Sequence, residues 1–165
     1  MIRATQIADL NSAPLLRLDS YWREKSRGRL MPSRADIDPA EIKELLPQLI
    51  MTRIEHDPLR VRYSIVGTAC ALSAGFDYTG RYLDELEFES ESDTDWLAIY
   101  AEIVGERKPI AGTCLFRTSD AEIPYRVAIY PLSNDGKRVD QTIAYEHLTL
   151  SLTEMDQVLP VKPAP

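Results

Sequence analysis

The 165-residue chain is poor in the residues that build metal centres and covalent staples, with two cysteines and two histidines. Cys70 and Cys114 form no C-x-x-C pair, and His56 and His147 complete no local zinc-ligand spacing with them, which argues against a structural metal or a disulfide framework. Reduced thiols in a cytoplasmic protein are the expectation. No run of about 18 consecutive apolar residues occurs, so no transmembrane helix is expected. The opening stretch MIRATQIADLNSAPLL carries Arg3 and Asp9 and reads as neither a secretory signal nor a membrane anchor. Nineteen Lys+Arg stand against 26 Asp+Glu, and the net charge of −7 gives the whole molecule little attraction for phosphate backbones or anionic lipid. Nucleic acid and membrane insertion are therefore not expected.

What is present is an ordinary globular composition, 44% hydrophobic and 27% charged, in a length close to the roughly 150 residues of one domain. Leu15, Leu18 and Trp22 recur at helical spacing over residues 13–27, and Gly28 is a plausible stop. Asp38 before Pro39, with Glu41 three residues on, predicts the start of a short helix that Pro47 ends. Alternation over 49–54 and 61–65 around HDPLR predicts a β-hairpin. Residues 68–86 read as short helices and turns. Trp96, Ile99, Tyr100 and Ile103 predict a helix over 93–105, capped by Asp93, Thr94 or Asp95. IAGTCLFRTS, IPYRVAIYPLS and VDQTIAYEHLTLSL read as three strands, with Asp135-Gly136 as a turn signal between the last two. Two strands, inserted helices and three strands predict an α+β fold whose antiparallel sheet is covered by the insertion. The expected division is a helical extension over 1–47, the sheet domain over 48–153 and a Pro-rich tail over 154–165.

The stretches YWREKSRGRLMPSRADIDPAEIKELLP, RVRYSIVGTA and GFDYTGRYLDEL resemble small bacterial PAS-like proteins, and the likeness covers roughly residues 15–150. The resemblance implies a five-stranded antiparallel sheet with helices on one face, plus an added N-terminal helical segment. It also implies a non-enzymatic sensory or interaction module that holds a small molecule between sheet and helices or docks onto a signalling partner in trans.

Haem-binding members usually take a histidine from the long helix, and residues 93–105 contain none, which speaks against haem. Covalent flavin is not expected either, because Cys70 lacks the flanking Asn, Arg and Gln of the flavin-binding segment. Cys70 and Cys114 read as small buried hydrophobes. The carboxylates from Asp84 to Asp95 lack the glycine of a calcium loop and read as a solvated approach to the next helix. For the basic segment Arg23–Arg34, pairing with Asp36, Asp38, Glu41 and Glu44 is the favoured reading. An interior pocket remains, with Tyr63, Cys70, Phe76, Leu83, Trp96, Tyr100, Phe116, Ile129 and Tyr145 as candidate lining.

Two other functions compete with the sensor. One is a small cone-shaped hydratase or isomerase, with His147 paired to Asp120 or Tyr145 in an internal cavity. The other is a dimerisation scaffold in which Leu15, Leu18 and Trp22 pack across a two-fold axis as a homodimer. Charge is unevenly placed: residues 82–106 hold nine acidic and no basic side chains, while residues 1–35 hold seven basic and three acidic. Both segments are candidate docking elements if they lie on the surface.

Overall fold

The computed structural model describes residues 1–86, 91–92, 94–117 and 122–148; for 91, 92, 116, 117 and 122 only the backbone is described. The chain runs through a two-residue strand β1 (Ile2–Arg3), helix α1 (Ala13–Ser26), and a 3-10 segment (Pro39–Gln48). Strands β2 (Leu49–Glu55) and β3 (Arg60–Val66) follow. Helix α2 (Thr68–Ala74), the short strand β4 (Glu91–Ser92) and helix α3 (Trp96–Glu106) come next. Strands β5 (Ile110–Arg117), β6 (Glu122–Leu132) and β7 (Gln141–Leu148) complete it. The five long strands form an antiparallel sheet in the order β5-β6-β7-β2-β3, with β1 and β4 added along β5. The last strand therefore lies between β2 and β6, at the centre.

Local chemistry sets the boundaries. The Ser12 hydroxyl accepts from the Leu15 amide at the start of α1, Pro14 sits in its first turn, and Arg27 and Gly28 leave it with φ of 49° and 78°. The Asp38 carboxylate accepts from Ala40 N, so the expected start at Pro39 holds, as a 3-10 rather than an α segment. Of the three candidate caps for α3, Asp95 is the one used, accepting from Ala98 N at 3.0 Å. In the β6–β7 turn the Asp135 carboxylate accepts from Lys137 N and Arg138 N, both at 2.8 Å, and Gly136 takes φ of 74°. Gly67, between β3 and α2, passes so close to the Pro47 and Leu46 carbonyls that a Cβ there would lie 2.4 and 2.5 Å from them.

Both faces of the sheet are covered. The inserted α2 and α3 lie over one face and α1 over the other, where Trp22 packs against Tyr130 and donates from Nε1 to the Pro131 carbonyl at 2.8 Å. This corrects the reading of Leu15, Leu18 and Trp22 as a dimer surface. Leu15 and Leu18 have no exposed area and Trp22 has 6%, because the apolar stripe of α1 is spent on the chain's own sheet. Three cations of the basic segment pair within the chain, Arg23 with Asp19 at 2.7 Å, Lys25 with Glu41 at 2.6 Å and Arg29 with Asp36 at 2.8 Å, and before it Arg17 lies 3.5 Å from Glu44. Across the molecule Arg60 takes up Asp84 and Glu85 from the acidic run.

Because Leu18 fills a closed site between α1 and the sheet, Leu18→Ala is expected to cost about 2–5 kcal/mol. Urea unfolding measures this, and a loss below about 1 kcal/mol would show that α1 is not part of the core.

Candidate functional site

A cavity of about 90 Å³ opens between the sheet and the inserted helices. Strand parity decides what enters it. Along β7, Ala144, Glu146 and Leu148 point into the cavity, and along β6 so do Tyr125, Val127 and Ile129. Ile50 and Tyr63 line it from β2 and β3, Cys70, Ser73 and Ala74 from α2, Tyr78 from the segment after α2, and Trp96 and Tyr100 from α3.

Glu146 is the carboxyl of this site. Its side chain is partly buried and borders the cavity. Burial pushes its pKa up to about 7, and a hydrogen bond from the Cys70 thiol offsets this in part. In return burial and the nearby carboxyl hold the Cys70 thiol far above its ordinary range, so it is protonated and a poor nucleophile. Burial likewise raises the phenols of Tyr63, Tyr78 and Tyr100. Deeper in, the Thr52 and Thr142 hydroxyls share a hydrogen bond of 2.7 Å, and Tyr100 reaches both. The Tyr63 and Tyr78 rings meet edge to face at 4.8 Å. The arrangement can enclose a small molecule, present it with one carboxyl and several hydroxyls, and surround it with aromatic rings.

Of the nine lining residues expected from the sequence, Tyr63, Cys70, Trp96, Tyr100 and Ile129 come together here. Phe76 instead sits 40% exposed, its ring against Tyr78 at 5.9 Å. Leu83 packs on the edge of the core without bordering the cavity. Tyr145 is buried on the opposite face, since its parity on β7 is that of Ile143 and His147. The Phe116 side chain lies outside the described residues. Glu146, Tyr78 and Tyr125 are lining residues that the sequence patterns do not single out; the available signal for Glu146 is a lone carboxylate inside the apolar run TIAYEHL.

The expected acid–base pair is not assembled in the cavity. His147 faces α1, where the Ser12 hydroxyl and its Nδ1 lie 2.6 Å apart, and burial together with Arg126 lowers its pKa. Asp120 lies outside the described residues, and among those described no cluster of His, Cys, Asp and Glu could hold a metal. No helix among them is long and apolar enough to cross a membrane.

The sheet order, the helical insertion after the second long strand and the cavity between them agree with a family model described as PAS domain, which matches residues 10–144. The chain belongs to the PAS domain family. Among solved structures, a light-oxygen-voltage domain from work on a flavin analogue aligns with a TM-score of 0.50 at 13% identity, over 74% of this chain and 93% of that one. The dark-state LOV domain of the blue-light photoreceptor Aureochrome1 aligns at 0.48 and 9% identity, over 72% and 86%. The first of these likenesses concerns the fold alone. No curated protein matches the chain in sequence. A PAS fold supports a sensory or regulatory role.

Two outcomes follow from the buried carboxyl and thiol. Glu146 has a folded pKa of about 7 against an ordinary 4.5, so the native state holds its proton more tightly than the unfolded chain. Its stabilising contribution is complete below pH 4.5 and is lost as pH rises through 7, a change on the order of 3 kcal/mol. Glu146→Gln is therefore expected to raise stability relative to the parent at pH 8 and to lose that advantage near pH 4.5, as read by denaturant unfolding at both pH values. A pH-independent difference would contradict the buried, unneutralised carboxyl. Cys70 is expected to resist iodoacetamide at pH 8 in the native chain and to react at least a hundredfold faster in denaturant, followed by peptide mass spectrometry. Fast native labelling would mean that the thiol is not held in the site described.

Proposed function

We propose that this PAS domain is a non-catalytic sensory module that takes a small molecule into the cavity between the sheet and helices α2 and α3 and passes the signal to a protein partner in trans. The observation that carries the reading is the placement of Glu146: a carboxyl that borders a space otherwise lined by aromatic, apolar and neutral hydroxyl and thiol groups has a use in selecting a ligand and none in holding the fold. Among the described residues the thiol and phenols around it stay protonated, and none is an acid–base partner with a pKa near 7, which supports binding over catalysis. Helix α3, which contributes Trp96 and Tyr100 to the cavity and also packs on β3 and β6, is the element through which occupancy would reach the surface.

Protein purified from its own host is expected to carry a small-molecule adduct in native mass spectrometry. Ala74→Leu, which places extra volume in the cavity wall, should lower occupancy at least tenfold while the chain stays folded. Full occupancy in Ala74→Leu would place the ligand elsewhere. A bare mass, together with no change in Trp96 emission on adding host metabolite extract, would sink the sensor reading.

A further inference from the structure

Glu146 is the acidic side chain lining the cavity, and among the described residues no Lys, Arg or His lines it. The titratable groups that face it are Cys70 on α2, Tyr63 on β3, Tyr78 after α2, Tyr100 on α3 and, more weakly, Cys114 on β5. All are thiols or phenols that burial keeps neutral, so the protein supplies no opposite charge among the described residues. A carboxylate shielded from water is costly unless it is paired and hydrogen-bonded, and the Cys70 thiol that donates to this one is a weak donor. The rings of Tyr63, Tyr78, Trp96, Tyr100 and Tyr125 border the same space. Aromatic faces are the negative side of the ring quadrupole and attract cations. Where a ring turns its face to that space, carboxylate and ring share one electrostatic preference, which an anion opposes and a neutral molecule leaves unused.

We propose that the cavity binds a small organic ammonium, its cationic head hydrogen-bonded to the Glu146 carboxylate and enclosed by the tyrosine and tryptophan rings. The assignment rests on the reading of this cavity as a ligand site and specifies the ligand's chemistry. The space, about 90 Å³ where one water needs roughly 10–15 Å³, suits an amine of no more than one ring. Binding requires the carboxylate, so below a pH of about 7 a proton must leave Glu146 first, and affinity falls with falling pH.

The test uses the full chain and three probes that share a ring and differ in the head group: benzylamine, benzyl alcohol and benzoate. Calorimetry and Trp96 emission at pH 8 should rank benzylamine at least tenfold tighter than benzyl alcohol, with benzoate undetected. Benzylamine stays protonated from pH 6 to 8, yet should bind about tenfold more weakly at pH 6. In Glu146→Gln, amine and alcohol should fall within about threefold of each other and the pH dependence should vanish. Alcohol or benzoate binding as tightly as the amine would overturn the ammonium assignment and leave the cavity a ligand site. The ammonium assignment fails in the same way if Glu146→Gln keeps the preference and its pH dependence. No response to any probe would overturn the ammonium assignment and count against the ligand site as well. If Glu146→Gln does not fold, the head-group ranking and pH profile of the unmodified chain decide alone.

Discussion

Strand β7 is hydrogen-bonded along both edges and covered on both faces, and the rest of the molecule depends on its register. It pairs with β6 from Tyr125↔Leu148 to Leu132↔Gln141 and with β2 from Leu49↔Tyr145 to Arg53↔Gln141. Side chains alternate with a period of two, so a slip by one residue would carry Glu146 beneath α1 and bring Tyr145 or His147 into the cavity. Two ladders pin the register from opposite sides. The Thr52–Thr142 hydrogen bond, buried on the cavity face, fixes it again at the level of side chains. The β2–β3 register shift between Met51 and Thr52 then brings Tyr63 opposite Thr52, on the face that Glu146 shares.

The opposite face explains why a helix precedes the first long strand. Without α1, the face bearing Ile143, Tyr145, Tyr130 and Leu132 would be exposed apolar surface. With it, Leu15, Leu18, Tyr21 and Trp22 join the same core as the strands. His147 belongs to this layer. Its Nδ1 meets the hydroxyl that also caps α1, so the histidine ties the last strand to the beginning of the helix. With its pKa lowered by burial and by Arg126, it serves there as a neutral hydrogen-bonding group.

Much of this order is legible in the sequence because it is local. Period-two alternation marks the β2–β3 hairpin, Asp38-Pro39 and Asp95 mark helix starts, and Asp135-Gly136 marks the last turn, each through chemistry confined to a few residues. What is not legible depends on which face meets which layer. In β7 both parities are buried, so alternation separates Ala144, Glu146 and Leu148 from Ile143, Tyr145 and His147 without saying which set faces the insertion. A preference for aromatic residues as pocket formers selects Tyr145 over Glu146, and the parity of the strand reverses that choice. The amphipathic stripe of α1 has the same ambiguity: it shows that Leu15, Leu18 and Trp22 bury themselves, but not that their partner is the chain's own sheet. Phe76 and Tyr78, two residues apart just past the left-handed turn at Gly75, exchange roles, Phe76 lying exposed and Tyr78 lining the cavity.

Glu146 is the place where local and global preferences conflict. At that position in a central strand, a leucine or glutamine would satisfy the fold without burying a group that loses stability as it ionises. Elsewhere the chain resolves its charges: Asp36 and Asp135 are held at about 2 by amides, hydroxyls and neighbouring arginines, and Arg60 is matched by two carboxylates. The same chain leaves Glu146 with a thiol and a ring of phenols. Under the proposed function, a carboxyl left among neutral groups has its use in what enters the cavity. The core under α1 and the cavity under α2 and α3 thus divide the two faces of one sheet.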